Sequence, residues 1–432
     1  ETKDSFTPGI DGIPTVTNSE STWEYIPRFQ WTNSSNVLAF MIMNRLQNQM
    51  RILSFDIAQL GKLSTLYEEQ CDTYVDVPDT WQFITVGKGK KAQQQMLITS
   101  ERDGYRHIYL YNMQGNLVKQ VTSGEWEVCE VAGVDVKNQR LYYTSREHGA
   151  INKSLFMVNF DGSKKQCLNY KPAQMKDIYE GSNKRYSFGD RSERFVEGSY
   201  NATFSNGCKY YICTYSNANM PPVYTLHNSR GTLVKVLQNN SELQGKMFDY
   251  GTQHKEFGSF KTGKGTELNY YTITPKDFDE SDATKKYPVL IYVYGGPGNQ
   301  QVTNSYGYSD YYWYHMLADK GYIVFCFDGR GTGGRGAAFK KQTYRDLGRM
   351  ECEDAIEAAR WLGQQSWVDK DRIGICGFCH DGDTLFLRLG CKLGNGGLDH
   401  GSQIPGRGTK GNDPGFQTGG FHQCINQTLQ LS

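Results

Sequence analysis

No run of about 18 apolar residues occurs in the 432-residue chain, so the sequence offers no membrane-spanning helix. An excess of either charge is missing too: 47 Lys and Arg face 46 Asp and Glu, for a net charge of +1. That balance argues against a nucleic-acid partner, which would require a basic face. Cysteine clustering is also absent. Eleven cysteines spread over a long chain do not make a small disulfide scaffold. Cys326, Cys352 and Cys376 sit in apolar runs and are expected to pack as small hydrophobes. What the chain has in quantity is Tyr and Phe, 29 and 21, which suits pleated surfaces. It is too long for one compact core, so two or more domains are expected.

From about Phe29 to Leu237, short runs of β-formers alternate with turns, and helical periodicity is almost absent. The runs include Val37–Met43, Met50–Ile57, Met96–Ser100, Tyr105–Tyr111, Leu141–Ser145, Leu155–Phe160 and Val223–His227. Between them lie Arg102-Asp103-Gly104, Gln114-Gly115-Asn116 and Asp161-Gly162, which carry turn chemistry. The region also repeats. Thr99-Ser100-Glu101-Arg102-Asp103-Gly104 is echoed 45 residues later by Thr144-Ser145-Arg146-Glu147-His148-Gly149. That period, with about four strands in each unit, predicts β-propeller blades, of which about four fit, rather than a sandwich with accidental similarity.

A hairpin, Phe257–Lys261 with Glu267–Thr274, precedes a change of period near Asp277. Val289–Tyr294, Tyr322–Phe327 and Asp371–Cys376 then read as buried strands. Between them, Tyr311–Lys320 and the i, i+3, i+4 series Cys352, Ala355, Ile356, Ala359 and Leu362 read as helices. The βαβαβ order predicts a parallel sheet covered by helices. The third strand runs into Gly377-Phe378-Cys379-His380-Asp381-Gly382, close to the G-x-S-x-G nucleophile elbow. On that pattern residues 371–382 form a strand turning tightly into a helix, with the Cys379 thiol above the carboxyl edge of the sheet. The expected domains are a propeller part over 1–255, a hydrolase part over 256–389, and a glycine-dense tail over 390–432.

Several further segments carry a resemblance. Tyr287-Pro288-Val289-Leu290-Ile291-Tyr292-Val293-Tyr294-Gly295-Gly296-Pro297, Phe327-Asp328-Gly329-Arg330-Gly331-Thr332-Gly333 and Asp371-Arg372-Ile373-Gly374-Ile375 are similar to the catalytic domain of the dipeptidyl peptidase IV group of prolyl-oligopeptidase-like serine peptidases. Upstream, Thr99–His107, Ser123–Val128 and Pro221–Leu226 resemble the later blades of that family's propeller. The resemblance implies a partial β-propeller with a partial α/β-hydrolase domain, a chain incomplete at both ends, and release of N-terminal dipeptides after Pro or Ala. It places Tyr294 as an oxyanion donor, Cys379 at the nucleophilic serine, and His380 as both the second oxyanion donor, through its backbone N–H, and a pocket-lining residue. Asp328 and Arg330 match a turn and are expected to be structural. By resemblance, the partner is a peptide with penultimate Pro or Ala, a homodimer is possible, and the family usually works in the periplasm or outside the cell.

The chain also departs from the family pattern. Cys379 replaces serine, and Asp381 stands where the elbow has glycine. The family's Asp and His would follow later strands, and residues after about 380 do not resemble it, as a reading-frame slip would produce. The family's substrate-gripping glutamate pair belongs to an earlier blade, and Glu68-Glu69 is expected to be a solvated turn. Asp399 or Asp413 with His422 has triad order, but a glycine-rich tail holds nothing to the tolerance a triad needs. Neither a cofactor nor a resident metal is expected. Cys376, Cys379, Cys391 and His400 have zinc-like elements but no regular knuckle. A non-catalytic peptide-binding propeller is the alternative to an enzyme.

Overall fold

The structure, a computed structural model, describes residues 23–59, 62–87, 89–178, 195–307 and 311–378, with the strand backbones Asp4–Ser5, Thr15–Val16 and Thr384–Leu389. It divides into two compact units. The first comprises residues 1–217, 222–241 and 334–341; the second comprises 218–221, 242–333 and 342–432.

Besides the antiparallel pair Asp4–Ser5 and Thr15–Val16, the first unit contains four larger antiparallel sheets in chain order, each built mainly as a meander of neighbouring strands. The strands Val37–Asn44, Gln49–Asp56 and Lys62–Gln70 make most of the first sheet, and Trp81–Val86, Gln93–Ser100, His107–Asn112 and Leu117–Gln120 make the second. The third and fourth span Val128–Cys167 and Ser199–Gln238. Successive side chains on a strand point to opposite faces, and the core uses both. Met96, Ile98 and Tyr109 of the second sheet pack with Met41, Ile52 and Leu66 of the first. Leu97, Ile108 and Leu110, one position away, pack with Val131, Leu141 and Phe156 of the third. The sheets therefore stack face to face, as propeller-like blades do.

The repeat noticed in the sequence is a repeated turn. Strands Gln93–Ser100 and Arg140–Ser145 each lead into it, and Gly104 and Gly149 adopt φ of 96° and 99°. Their amides donate to Glu101 and Arg146 carbonyls at 2.9 and 3.1 Å. Only glycine enters that region without strain. Glu68 and Glu69 are not in a turn but on the strand Lys62–Gln70. Adjacent strand residues face opposite ways, and each has its own partner: Arg51 at 2.8 Å for Glu68, the Ser100 hydroxyl at 2.9 Å for Glu69.

The second unit is built on one six-stranded sheet. Its order is Lys255–Lys261, Glu267–Ile273, Ile323–Phe327, Tyr287–Val293, Val368–Phe378, Thr384–Leu389. Tyr287–Val293 pairs in parallel with both Ile323–Phe327 and Val368–Phe378. The sheet is mixed, not wholly parallel, because the hairpin Lys255–Ile273 joins Ile323–Phe327 antiparallel. Helices Tyr311–Asp319 and Arg349–Gly363 lie where the periodicity places them. Cys326, Cys352 and Cys376 are buried, as the apolar runs lead one to expect. After the elbow strand, Thr384–Leu389 returns antiparallel to it, where a helix was expected. The run Thr-Leu-Phe-Leu-Arg-Leu explains the difference: its leucines alternate with period 2, the pattern of a strand.

Candidate active site

Parallel pairing brings two chain segments to one sheet edge. Tyr287–Val293 and Val368–Phe378 run side by side in a register that ends with Val293 opposite Gly377. Tyr294 and Phe378 are thus each one residue beyond the last pair, at the carboxyl end where open α/β sheets bind ligands. The close approach explains Gly377, since a Cβ there would lie 2.6 Å from the Val293 carbonyl oxygen. Cys379 and His380, and with them Asp381, Cys391, Asp399, His400, Asp413 and His422, lie outside the described residues.

Tyr294 is half-buried and leaves its strand on Gly295-Gly296. Its ring lies over Gly296: a Cβ there would meet the ring Cζ at 2.9 Å and the hydroxyl at 3.0 Å. The glycine leaves the phenol room to lie close against the backbone. Gly295 is constrained from the other side, where an added Cβ would sit 2.7 Å from the Glu351 Cγ. Glu351 opens the helix Arg349–Gly363 and its Oε2 accepts from the Gly348 N–H at 2.9 Å. Burial raises its carboxyl pKa. The sequence reading missed this carboxylate beside the Tyr294 segment; an acidic residue three positions inside a helix start was the available signal.

The loop after Tyr294 is tied to the turn after Ile323–Phe327. Asp328, buried, accepts from the Gln301 N–H at 2.9 Å and the Val302 N–H at 3.0 Å. The Gly298 N–H donates to the Gly331 carbonyl at 2.8 Å, and the Gly333 N–H to the Asn299 carbonyl at 2.9 Å. Arg330 turns the other way. Its Nε donates to Asp354 at 3.0 Å and its Nη2 to Glu353 at 3.0 Å, while its backbone N–H donates to Asp354 at 2.7 Å. Burial would lower the guanidinium's pKa, but Asp354 and Glu353 overcome that and raise it. Arg330 is therefore fully engaged as a strut. Both residues of the turn are structural, as the sequence pattern anticipates.

The described part of the edge thus presents the Tyr294 hydroxyl at the head of a braced loop. Donors fixed ahead of reaction are how enzymes stabilise an oxyanion. Among the described residues no cluster of His, Cys, Asp and Glu is placed to hold a metal.

Comparison with known proteins supplies the family. Residues 7–222 match the dipeptidyl peptidase IV N-terminal region, half of the chain. The chain belongs to the dipeptidyl peptidase IV family. Residues 309–380 match the prolyl oligopeptidase family, a span that includes Cys379 and His380. The crystal structure of Porphyromonas gingivalis dipeptidyl peptidase 4 is similar with a TM-score of 0.68 and 34% identity, over 82% of this chain and 45% of that one. Dipeptidyl peptidase 4 of Trichophyton equinum is 29% identical over 357 residues, and that of Trichophyton rubrum 28%, each over 82% of this chain and 42% of the relative. The chain therefore spans less than half the length of these curated relatives. Among the described residues no helix is long and apolar enough to cross a membrane.

Proposed function

We propose that the chain belongs to a serine-type exopeptidase that releases N-terminal dipeptides ending in Pro or Ala. In this reading an acyl group passes to the residue at position 379 and then to water. The Tyr294 hydroxyl and the His380 backbone N–H receive the oxyanion, and the His380 side chain lines the pocket for the penultimate residue. The supporting observation is the register that sets Tyr294 at the carboxyl edge, on the strand adjacent to the one that leads to Cys379. With Cys at 379 the nucleophile is a thiolate, which needs a base or a lowered pKa. The residues carried over include no such base, so turnover by this chain is expected to be small.

The direct test is hydrolysis of a Gly-Pro chromogenic dipeptide by the purified chain. Little or no turnover is expected. Cleavage that Cys379→Ala abolishes would show that the site is active, and Tyr294→Phe would then lower kcat about 100-fold. Cleavage unchanged by both substitutions would overturn the site assignment. A second reading, a non-catalytic peptide-binding propeller, is supported by the four stacked sheets. Measurable affinity for Pro-containing peptides without turnover, retained in Cys379→Ala, would favour it. By the same family reading the protein works in the periplasm or outside the cell, and it forms homodimers. Size-exclusion chromatography with light scattering tests the dimer.

A further inference from the structure

Away from the Tyr294 edge, the second unit buries a lysine that has no counter-ion among the described residues. Lys255 opens the strand Lys255–Lys261 and is only 7% exposed. No carboxylate lies within ion-pair distance of its Nζ among the described residues. Instead the ammonium faces two aromatic rings, 4.5 Å from the Tyr271 centroid and 5.2 Å from the Tyr311 centroid. Tyr311 in turn packs on His315, ring centroids 4.3 Å apart. Tyr311 and His315 are 2% and 5% exposed, and the Tyr311 hydroxyl and both His315 ring nitrogens have no hydrogen-bond partner among the described residues.

Tyr311 and His315 therefore leave buried polar atoms unmatched beside the Lys255 ammonium, which has no carboxylate partner among the described residues. Such atoms cost free energy unless something satisfies them. The groups around them do not supply the missing charge. Burial pushes the Cys326 thiol well above its ordinary pKa, so it stays neutral, and the Tyr271 phenol is held neutral the same way. Asp319, which influences His315, is half-exposed and spent on Gln253 at 2.6 Å and Lys276 at 3.3 Å. His254 adds only unfavourable charge to His315. The π faces offset part of the ammonium's desolvation, yet they leave the tyrosine and histidine donors idle.

The unmatched set has one character. An ammonium, a phenol O–H and an imidazole N–H are all able to donate, and the ammonium repels a metal cation. We propose that Lys255, Tyr311 and His315 form a binding site for a small inorganic monoanion of chloride or bicarbonate size. The anion neutralises the ammonium and accepts from the phenol and the imidazole, and it stabilises the unit by binding the folded state alone.

The test uses the full chain, unfolded thermally in sodium chloride, sodium bicarbonate or sodium gluconate at matched ionic strength. Gluconate, a bulky organic carboxylate, is the control anion. Chloride or bicarbonate at about 100 times its Kd is expected to raise the midpoint by about 3–8 °C over gluconate; the two salts separate a halide site from one that accepts a planar oxyanion. Lys255→Met is expected to fold, since it replaces an unpaired buried charge by an apolar chain, and to abolish the difference. A crystal grown in bromide should show an anomalous peak beside the Lys255 Nζ. Equal midpoints in all three salts, an unchanged chloride or bicarbonate response in Lys255→Met, or no bromide peak at the cluster would overturn the proposal.

Discussion

At the scale of single residues, two positions carry more than their sequence context suggests. Gly377 reads as the first glycine of an elbow, but its necessity comes from the neighbouring strand, whose Val293 carbonyl leaves no room for a Cβ. Gly377→Ala should destabilise the chain by about 1–3 kcal/mol, measured by denaturant unfolding, as overpacking does elsewhere. Lys340 is the other. It is nearly buried among Asp76 and Glu101, both of which it contacts directly, with Lys341 3.3 Å from Glu101. Burial alone would lower the Lys340 pKa and raise that of Asp76, but their mutual attraction reverses both shifts. At Glu101 burial prevails and the carboxyl is raised. Lys340→Met should cost about 3 kcal/mol in equilibrium unfolding, because it strands Asp76 and takes the nearest cation from Glu101. Nothing in the local sequence announces this cluster: Lys340 lies more than 200 residues from both acids, and only the tertiary fold brings them together.

At the scale of elements, the sequence was most legible where one physical signal ruled. The strands Val37–Asn44 and Ser154–Asn159 and the helix Arg349–Gly363 fall within a few residues of their expected bounds, since periodicity and turn glycines mark them. The helix expected after the elbow was wrong because family context outweighed the period-2 leucines of Thr384–Leu389. The bracing of the Tyr294 loop was legible only in part. Asp328 could be named as structural, but not as the acceptor of two specific amides. Asp328→Asn keeps one carbonyl oxygen and substitutes a donor for the other acceptor. Hydrogen exchange at the Gln301 and Val302 amides should quicken about 10-fold, as expected for losing about 1.4 kcal/mol of hydrogen bonding. Unchanged exchange at both would mean the strap does not hold the loop.

At the scale of the whole molecule, two buried bases of the second unit, His315 and Lys255, shape the response to pH. His315 is depressed to about 4 and Lys255 to about 8, in both cases by burial first. A depressed base binds fewer protons folded than unfolded, so stability rises with pH between its folded and unfolded values. For His315 this window runs from about 4 to 6.5, and stability falls as the pH drops through it. For Lys255 it runs from about 8 to 10.5, where rising pH relieves the buried charge. Denaturant unfolding across both windows should show His315→Leu flattening the acid slope and Lys255→Met the alkaline one. Parallel curves for the variants and the parent would show that these groups ionise as freely as in the unfolded chain. None of this was visible beforehand, because burial of a lone Lys or His is a property of packing, not of pattern.

The membership of residues 334–341 in the first unit has a consequence for biosynthesis. The four sheets pair neighbours in sequence, so most of their contacts are available as soon as each stretch leaves the ribosome. The Glu127 carboxylate, however, waits for the Gly334 and Gly336 amides, and Asp76 and Glu101 wait for Lys340. A nascent chain stopped short of residue 334 would thus hold assembled sheets around three acids with no late partner. Its last ordering step belongs to a segment translated only after most of the second unit's sheet has been made.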